Sequence, residues 1–232
     1  MCGTCSMKLQ ACLTLAALLA GAACSSNESP PTHDDSPVWP APPPPSAPYP
    51  LTGFGTNARS GSRFGDRIAN YKFLGYREGD DIDRGLQPIA LAEYFDPSGS
   101  EYRIIHIQAV GVWSAFSKAQ TKLVVPLKAD LEARKVTWLV SLAEGPPPGT
   151  PAKQRDLDPW IAHFELPYTI WLDPGNANLG PFYDRAKLPW NADIDARTME
   201  ILTSTTGAPK TTAEILDGID EAIRLSDERR LD

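Results

Sequence analysis

The sequence predicts an α/β fold: a central mixed sheet with helices on both faces, closed by a C-terminal β-hairpin and a helix. Three observations predict it. Three apolar runs rich in β-branched residues, Tyr102–Val110, Val136–Leu142 and Tyr168–Leu172, read as strands covered on both faces. Helical patterns separate these runs, and alternation of this kind gives parallel strands joined by right-handed crossovers. Two short segments, Ala192–Asp195 and Met199–Leu202, then flank a turn at Ala196-Arg197, which adds an antiparallel hairpin.

Taken in order, Ile68–Leu74 alternates like a half-buried strand after a glycine-rich stretch containing Gly53, Gly55, Gly61 and Gly65. Asp80–Asp83 is a solvated turn, without the glycine and distal glutamate of a calcium loop. Pro88–Tyr94 reads as a short helix or helical turn. Gly111 ends the first long strand. From Phe116 onward Ala119, Leu123, Leu127 and Leu131 recur at spacings of three or four, predicting a helix with one buried stripe. Pro146–Gly149 is a loop, and Asp158 with Pro159 reads as the N-cap and first position of a second helix. The Asp173-Pro-Gly-Asn turn closes the third strand. Thr211–Glu214 fits a capping box opening a last helix that buries Ile215, Ile219, Ala222 and Ile223.

The 232 residues suffice for one domain and its tails, with neither an internal repeat nor a second domain. A net charge of −7 argues against binding nucleic acid or an anionic membrane surface, because the long-range field repels phosphate. The 23 prolines are about twice the usual share, and they cluster before residue 50. The four cysteines, Cys2, Cys5, Cys12 and Cys24, all precede residue 25. The rest of the chain has no disulfide, thiolate ligand or cysteine nucleophile. The three histidines fall at unrelated places, so the sequence implies neither metal nor cofactor.

Residues 1–23 have the layout of a secretory signal: Lys8, an apolar stretch from Ala11 to Ala23, then small residues. The stretch is too short to span a bilayer. Leu19–Cys24 resembles a bacterial lipobox, although Gly21 stands where leucine is usual. That resemblance implies lipidation of Cys24; an ordinary cleaved signal is the alternative. Met7 reads as a more natural start than Met1, and Cys2-x-x-Cys5 precedes the apolar segment either way. Residues 24–50 then form a proline-rich tether. Such a segment favours extended polyproline II and could reach up to ~80 Å at about 3.1 Å per residue. A proline-recognition ligand at Pro40–Pro45 is the other reading. The expected location is the bacterial envelope, lipid-anchored and facing the periplasm. Ser25-Ser26 after the lipid cysteine, with no aspartate next, resembles lipoproteins sent to the outer membrane.

The remaining residues, 51–232, form one domain that over about Ile68–Leu225 resembles the thioredoxin fold, and especially the tethered thiol–disulfide reductases of bacterial envelopes. Ile104–Trp113 is similar to that family's first core strand and its tryptophan, and Val136–Leu142 to the next strand. Leu172-Asp-Pro174 resembles the family's Leu-Asp-Pro, and Leu188-Pro189 falls where the family has a cis-proline. Pro126 lies nine residues past Ser117 where the family's helix proline stands about five past its second cysteine, a displacement of one helical turn.

The family follows its tryptophan with Cys-x-x-Cys; this chain has Ser114-Ala-Phe-Ser117. Serine hydroxyls are not ionised at neutral pH and form no disulfide, so this pair cannot exchange two electrons. Helix capping is the plain role for Ser114 and Ser117. Nucleophilic catalysis would need a base, and there is no Gly-x-Ser-x-Gly elbow. His106 stands eight residues before Ser114, roughly 26 Å along an extended strand, and reads as a satisfied core histidine. In this fold the residue before the cis-proline offers its backbone to an extended polypeptide. Trp113, Phe116, Leu188, Pro189 and Trp190 are thus the groove candidates; partly buried packing is the alternative for the aromatics. Three functions follow as expectations: a redox-inactive binding or scaffold module for an extended polypeptide or envelope protein, a thiol–disulfide oxidoreductase or peroxiredoxin-like enzyme, or a purely structural lipoprotein.

Overall fold

The computed structural model describes Tyr49 and residues 61–228. The signal segment, Cys24, the rest of the tether and Gly53 and Gly55 lie outside the described residues. Seven strands, β1 (Lys72–Tyr76), β2 (Gln87–Ala90), β3 (Ile104–Gly111), β4 (Val136–Glu144), β5 (Thr169–Leu172), β6 (Trp190–Asp195) and β7 (Glu200–Thr206), form one sheet. Its order is β2-β1-β5-β4-β3-β6-β7. Strands β3, β4 and β5 are parallel, and every other pairing is antiparallel. The helices are α1 (Ala115–Val124), α2 (Lys128–Ala133), α3 (Gln154–Phe164) and α4 (Thr212–Glu228).

The mixed sheet, the alternation and the terminal hairpin with its helix agree with the expectation from sequence. The distribution of helices differs. Buried side chains of all four α-helices (among them Val124, Leu131, Trp160 and Ile219) join one core cluster. The opposite cluster is roofed by short 3-10 turns and aromatics, among them Leu91, Tyr94, Leu179 and Phe182. The reason is topological. The chain steps from β3 to β4 to β5 in one direction across the sheet, so two right-handed crossovers set their helices on the same side.

Other differences have local causes. The first strand is Lys72–Tyr76; Ile68 instead lies beside β7, where its amide donates to Met199 O. Residues 65–71 therefore cross from one edge of the sheet to the other. Pro88 belongs to a strand, tolerated because β2 is an edge and needs no donor on its outer side. At Gly75 a Cβ would lie 2.2 Å from Ile170 O and 2.6 Å from Trp171 Cα, so only glycine lets β1 approach β5. Trp171, fully buried, stacks on Phe73 with centroids 4.4 Å apart.

Pro126 sits in a 3-10 turn, Val125–Leu127, that divides the long helix into α1 and α2. The inward face of α1 is polar: Ser117, Gln120 and Thr121 are buried beside Val124, while Ala119 is exposed and Leu123 only partly buried. Helix α3 begins at Gln154, before Asp158, because the Asp156 carboxylate accepts from the Lys153 amide at 3.0 Å and stabilises an earlier start. Pro159 is thus inside the helix, on an exposed face where the carbonyl it leaves without a donor can bond water. At α4 the Thr211 hydroxyl accepts from the Glu214 amide as expected. The Glu214 carboxylate, however, takes the Lys210 amide rather than that of Thr211.

Candidate functional site

The parallel strands β3, β4 and β5 end together, and the candidate site forms where they end. A register shift between Val110 and Gly111 sets Gly111 opposite Glu144 and stops regular pairing. The chain then turns back on itself. A Cβ on Gly111 would lie 2.9 Å from Trp113 Nε1 and 3.0 Å from Leu188 Cδ1, so glycine is what lets Trp113 fold over the strand end.

Ser114 is the N-cap of α1. Its Oγ accepts from the Ser117 amide at 3.2 Å and donates to Leu188 O at 2.8 Å. Ser117 Oγ accepts from the Gly111 amide at 3.4 Å, a long and weak bond. Ser114 is 2% and Ser117 0% exposed, so a dissolved substrate reaches neither hydroxyl. The Leu188–Pro189 peptide is cis and adjoins Ser114 through that carbonyl. The structure thus brings together Trp113, Ser114, Ser117, Leu188 and Pro189.

As groove residues the five candidates separate. Phe116 is 69% exposed and Trp113 half-buried. Leu188 and Pro189 are buried, and the Leu188 carbonyl is already taken by Ser114. Trp190 is 1% exposed; it stacks on Tyr183 with centroids 5.1 Å apart, and its Nε1 donates to Ser204 Oγ at 2.9 Å. Trp190 is therefore packing, and the accessible aromatic surface consists of Trp113 and Phe116.

Residues that sequence reasoning did not single out complete the site. Glu144, at the end of β4 and 4% exposed, accepts from Trp113 Nε1 at 2.6 Å and from the Gly149 amide at 2.8 Å. Its other oxygen accepts from Asn176 Nδ2 at 3.2 Å, and Tyr183 OH donates to Asn176 Oδ1. Burial pushes the Tyr183 phenol above its ordinary range, reinforced by the Asp173 and Glu144 carboxylates, so it stays a donor. Asp173, fully buried, is also shifted upward by burial, against the amides of Asn178, Leu179 and Ala177 that hold it down. This relay locks the indole of Trp113. Beside it lies a cavity of about 460 Å³ lined by Trp113, Pro148, Gly149, Asn176 and the exposed Arg185. The signal available beforehand was a lone glutamate at the carboxyl end of an apolar strand, where ligand sites of parallel sheets gather.

His106 is remote from this site in bonding terms. Its Nδ1 lies 2.7 Å from Asp193 Oδ1 and its Nε2 3.1 Å from Asn191 Oδ1, with the ring stacked on Trp138. Among the described residues, no group of three or more His, Cys, Asp or Glu side chains gathers as a metal site would require.

No protein-family model and no curated protein matches the chain. Solved structures do. A DsbF homologue from Corynebacterium diphtheriae is similar with a TM-score of 0.50 and 16% identity, over 67% of this chain and 86% of that one. A secreted thiol-disulfide isomerase from Corynebacterium glutamicum gives 0.51 and 17%, over 70% and 87%. AhpC from Enterococcus faecalis gives 0.53 and 9%, over 71% and 94%. At such identities likeness speaks of architecture alone. Together with the sheet order and the helix that opens at the end of β3, it establishes that this chain has a thioredoxin-like, redoxin fold.

Proposed function

We propose that the chain is a membrane-tethered, thioredoxin-like module of the bacterial envelope that binds an extended polypeptide and performs no thiol–disulfide exchange. One observation carries this reading. The two positions at the helix opening hold serines that are buried and committed to backbone hydrogen bonds, and no cysteine follows residue 24. A hydroxyl there neither ionises at neutral pH nor forms a disulfide. What the site still offers is surface: the locked indole of Trp113, the exposed ring of Phe116 and the adjoining cavity. Because the Leu188 carbonyl is engaged by Ser114, the polypeptide docks on these side chains rather than by adding a strand there. Lipidation at Cys24 and the proline-rich tether would hold the module to the membrane, facing the periplasm, with the outer membrane favoured by Ser25-Ser26.

Two measurements test this. A chain beginning at residue 24 and carrying Cys24→Ala should reduce insulin with dithiothreitol no faster than dithiothreitol alone; a rate above that blank overturns redox inactivity. A photo-crosslinker at position 116 should give discrete adducts in envelopes, abolished by Trp113→Ala. Unchanged adducts would point to a structural lipoprotein. The likeness to an isomerase and to AhpC favours a second reading, a redox enzyme that borrows a thiol from elsewhere. A mixed disulfide containing this chain, trapped in cells, would establish that reading instead.

A further inference from the structure

We infer that the groove between α1 and α4, on the helical side of the sheet, is a binding site for a small organic cation such as an alkylguanidinium. It is a cavity of about 350 Å³, within the range of small-ligand pockets, and does not depend on the function proposed above. Its floor is polar: His106 from β3, Asn191 and Asp193 from β6, and Gln120 from α1. Its walls are Trp138, Ile215, Ile219 and Pro209, with Glu214 and Gly218 at the rim.

The floor is unusual for a core. His106, Gln120, Asn191 and Asp193 are all more than nine-tenths buried, at 6%, 1%, 7% and 7% exposure. Their donors are largely spent on one another. Asn191 Nδ2 donates to Gly207 O at 2.9 Å and to Gln120 Oε1 at 3.2 Å, and Gln120 Nε2 donates to Asn191 Oδ1 at 2.6 Å. Both His106 nitrogens face oxygens, and the Thr203 hydroxyl donates to Asp193 Oδ2. Asn191 Oδ1 already faces two partners, but Gln120 Oε1 and each Asp193 oxygen face one, and such an oxygen keeps acceptor capacity after one bond. The lining has the carboxylates of Asp193 and Glu214 against one imidazole, and no lysine or arginine. An acceptor-rich, acid-biased pocket with apolar walls fits a cationic head on a short alkyl body, held by charge-assisted hydrogen bonds.

Gly218 stands at the rim of the groove. It interrupts a 17-residue helix, where glycine costs about 1 kcal/mol against alanine. A Cβ there would meet nothing within 4 Å, so among the described residues no contact calls for glycine. Its consequence is a rim left low, with the mouth of the groove unroofed.

The test is a titration of the full chain followed by amide NMR. The probes are butylguanidinium, butyramide as its neutral counterpart and butyrate as its anionic one. Butylguanidinium should give saturable shifts at His106, Asn191 and Gly207, at least 10-fold tighter than either counterpart. Gly218→Ala should bind equally well, whereas Gly218→Lys, which sets a fixed cation at the rim of an exposed helix position, should weaken binding at least 10-fold. Asp193→Asn should do the same while leaving the spectrum folded. If it does not fold, the two Gly218 variants decide. Absence of saturable shifts, equal binding of butyramide or butyrate, or undiminished binding by Gly218→Lys overturns the proposal.

Discussion

Replacing Ser114 by alanine removes two interactions at once, and the structure separates their sizes. The first is the cap: the Oγ that accepts from the Ser117 amide, worth about 1 kcal/mol at an N-cap. The second is the bond to Leu188 O at 2.8 Å. Ser114 is 2% and Leu188 4% exposed, so water does not replace the lost donor, and a buried acceptor left unsatisfied costs about 1–3 kcal/mol. Together these destabilise Ser114→Ala by roughly 2–4 kcal/mol, or some 5–12 °C in a domain of this size. Urea unfolding followed by tryptophan fluorescence measures it. Ser114→Gly divides the sum, because glycine caps nearly as well as serine but cannot donate to Leu188. It should lose about 1–3 kcal/mol, the carbonyl's share alone. Ser117→Ala, giving up one long bond at 3.4 Å, should cost about 1 kcal/mol or less. If Ser114→Ala lost under ~0.5 kcal/mol, or Ser117→Ala proved the more damaging, the hydroxyl of Ser114 would not be the tie between α1 and the strand that follows Leu188.

Further outcomes follow from other contacts. Gly75→Ala forces a Cβ to 2.2 Å from Ile170 O, so it should cost at least ~3 kcal/mol and speed amide exchange in β1 and β5 before the rest of the sheet. Glu144→Ala strips the acceptor from Trp113 Nε1, the Gly149 amide and Asn176 Nδ2. A loss of about 3 kcal/mol and a red-shifted, more quenchable Trp113 emission should result, and unchanged quenching would refute the relay. Asp96 has its own pH signature. Burial raises its pKa, but the Ser98 hydroxyl and the amides of Glu101, Tyr102 and Ser98 overcome this and hold it at about 2. A carboxylate depressed on folding stabilises above its unfolded value near 4 and loses that contribution as pH falls towards 2. Asp96→Asn should therefore be less stable than wild type at pH 6, with most of that gap gone by pH 2, by urea midpoints; a gap undiminished between pH 6 and pH 2 would refute the assignment.

The strands of the sheet centre were legible because each buries both faces. Runs such as Ile104–Gly111 and Val136–Glu144 are apolar enough on both faces to read as buried strands, although His106 and Gln108 alternate with Ile105, Ile107 and Ala109 in the first. Helix α1 was legible in its start, but neither in its end, which the turn at Pro126 sets, nor in its orientation. The stripe rule looks for apolar residues inside, whereas Ser117, Gln120 and Thr121 face inward because polar partners wait beneath them, Asn191 above all. Pro88 and Pro159 misled for one shared reason. Proline is excluded only where its missing donor would be needed, and both stand where it is not, at a sheet edge and on an exposed helix face. At the site, the serine pair and the proline were legible from order along the chain. Glu144, Asn176 and Tyr183 were not, since nothing local in sequence says that a strand end and two later segments link in series behind one indole.

The order of the strands has a consequence for how the chain is made. Inner strand β3 is flanked on one side by β6, whose Asp193 follows its partner His106 by 87 residues, and β1 must wait for β5. Half of that strand's hydrogen-bonding groups therefore stay unmatched until almost the last fifth of the polypeptide has emerged. A chain cut short before Trp190 would display a bare, greasy border along Ile104–Gly111, the kind of template on which copies stick to one another. Completion of synthesis, rather than any single contact, is what makes this molecule safe to leave unattended.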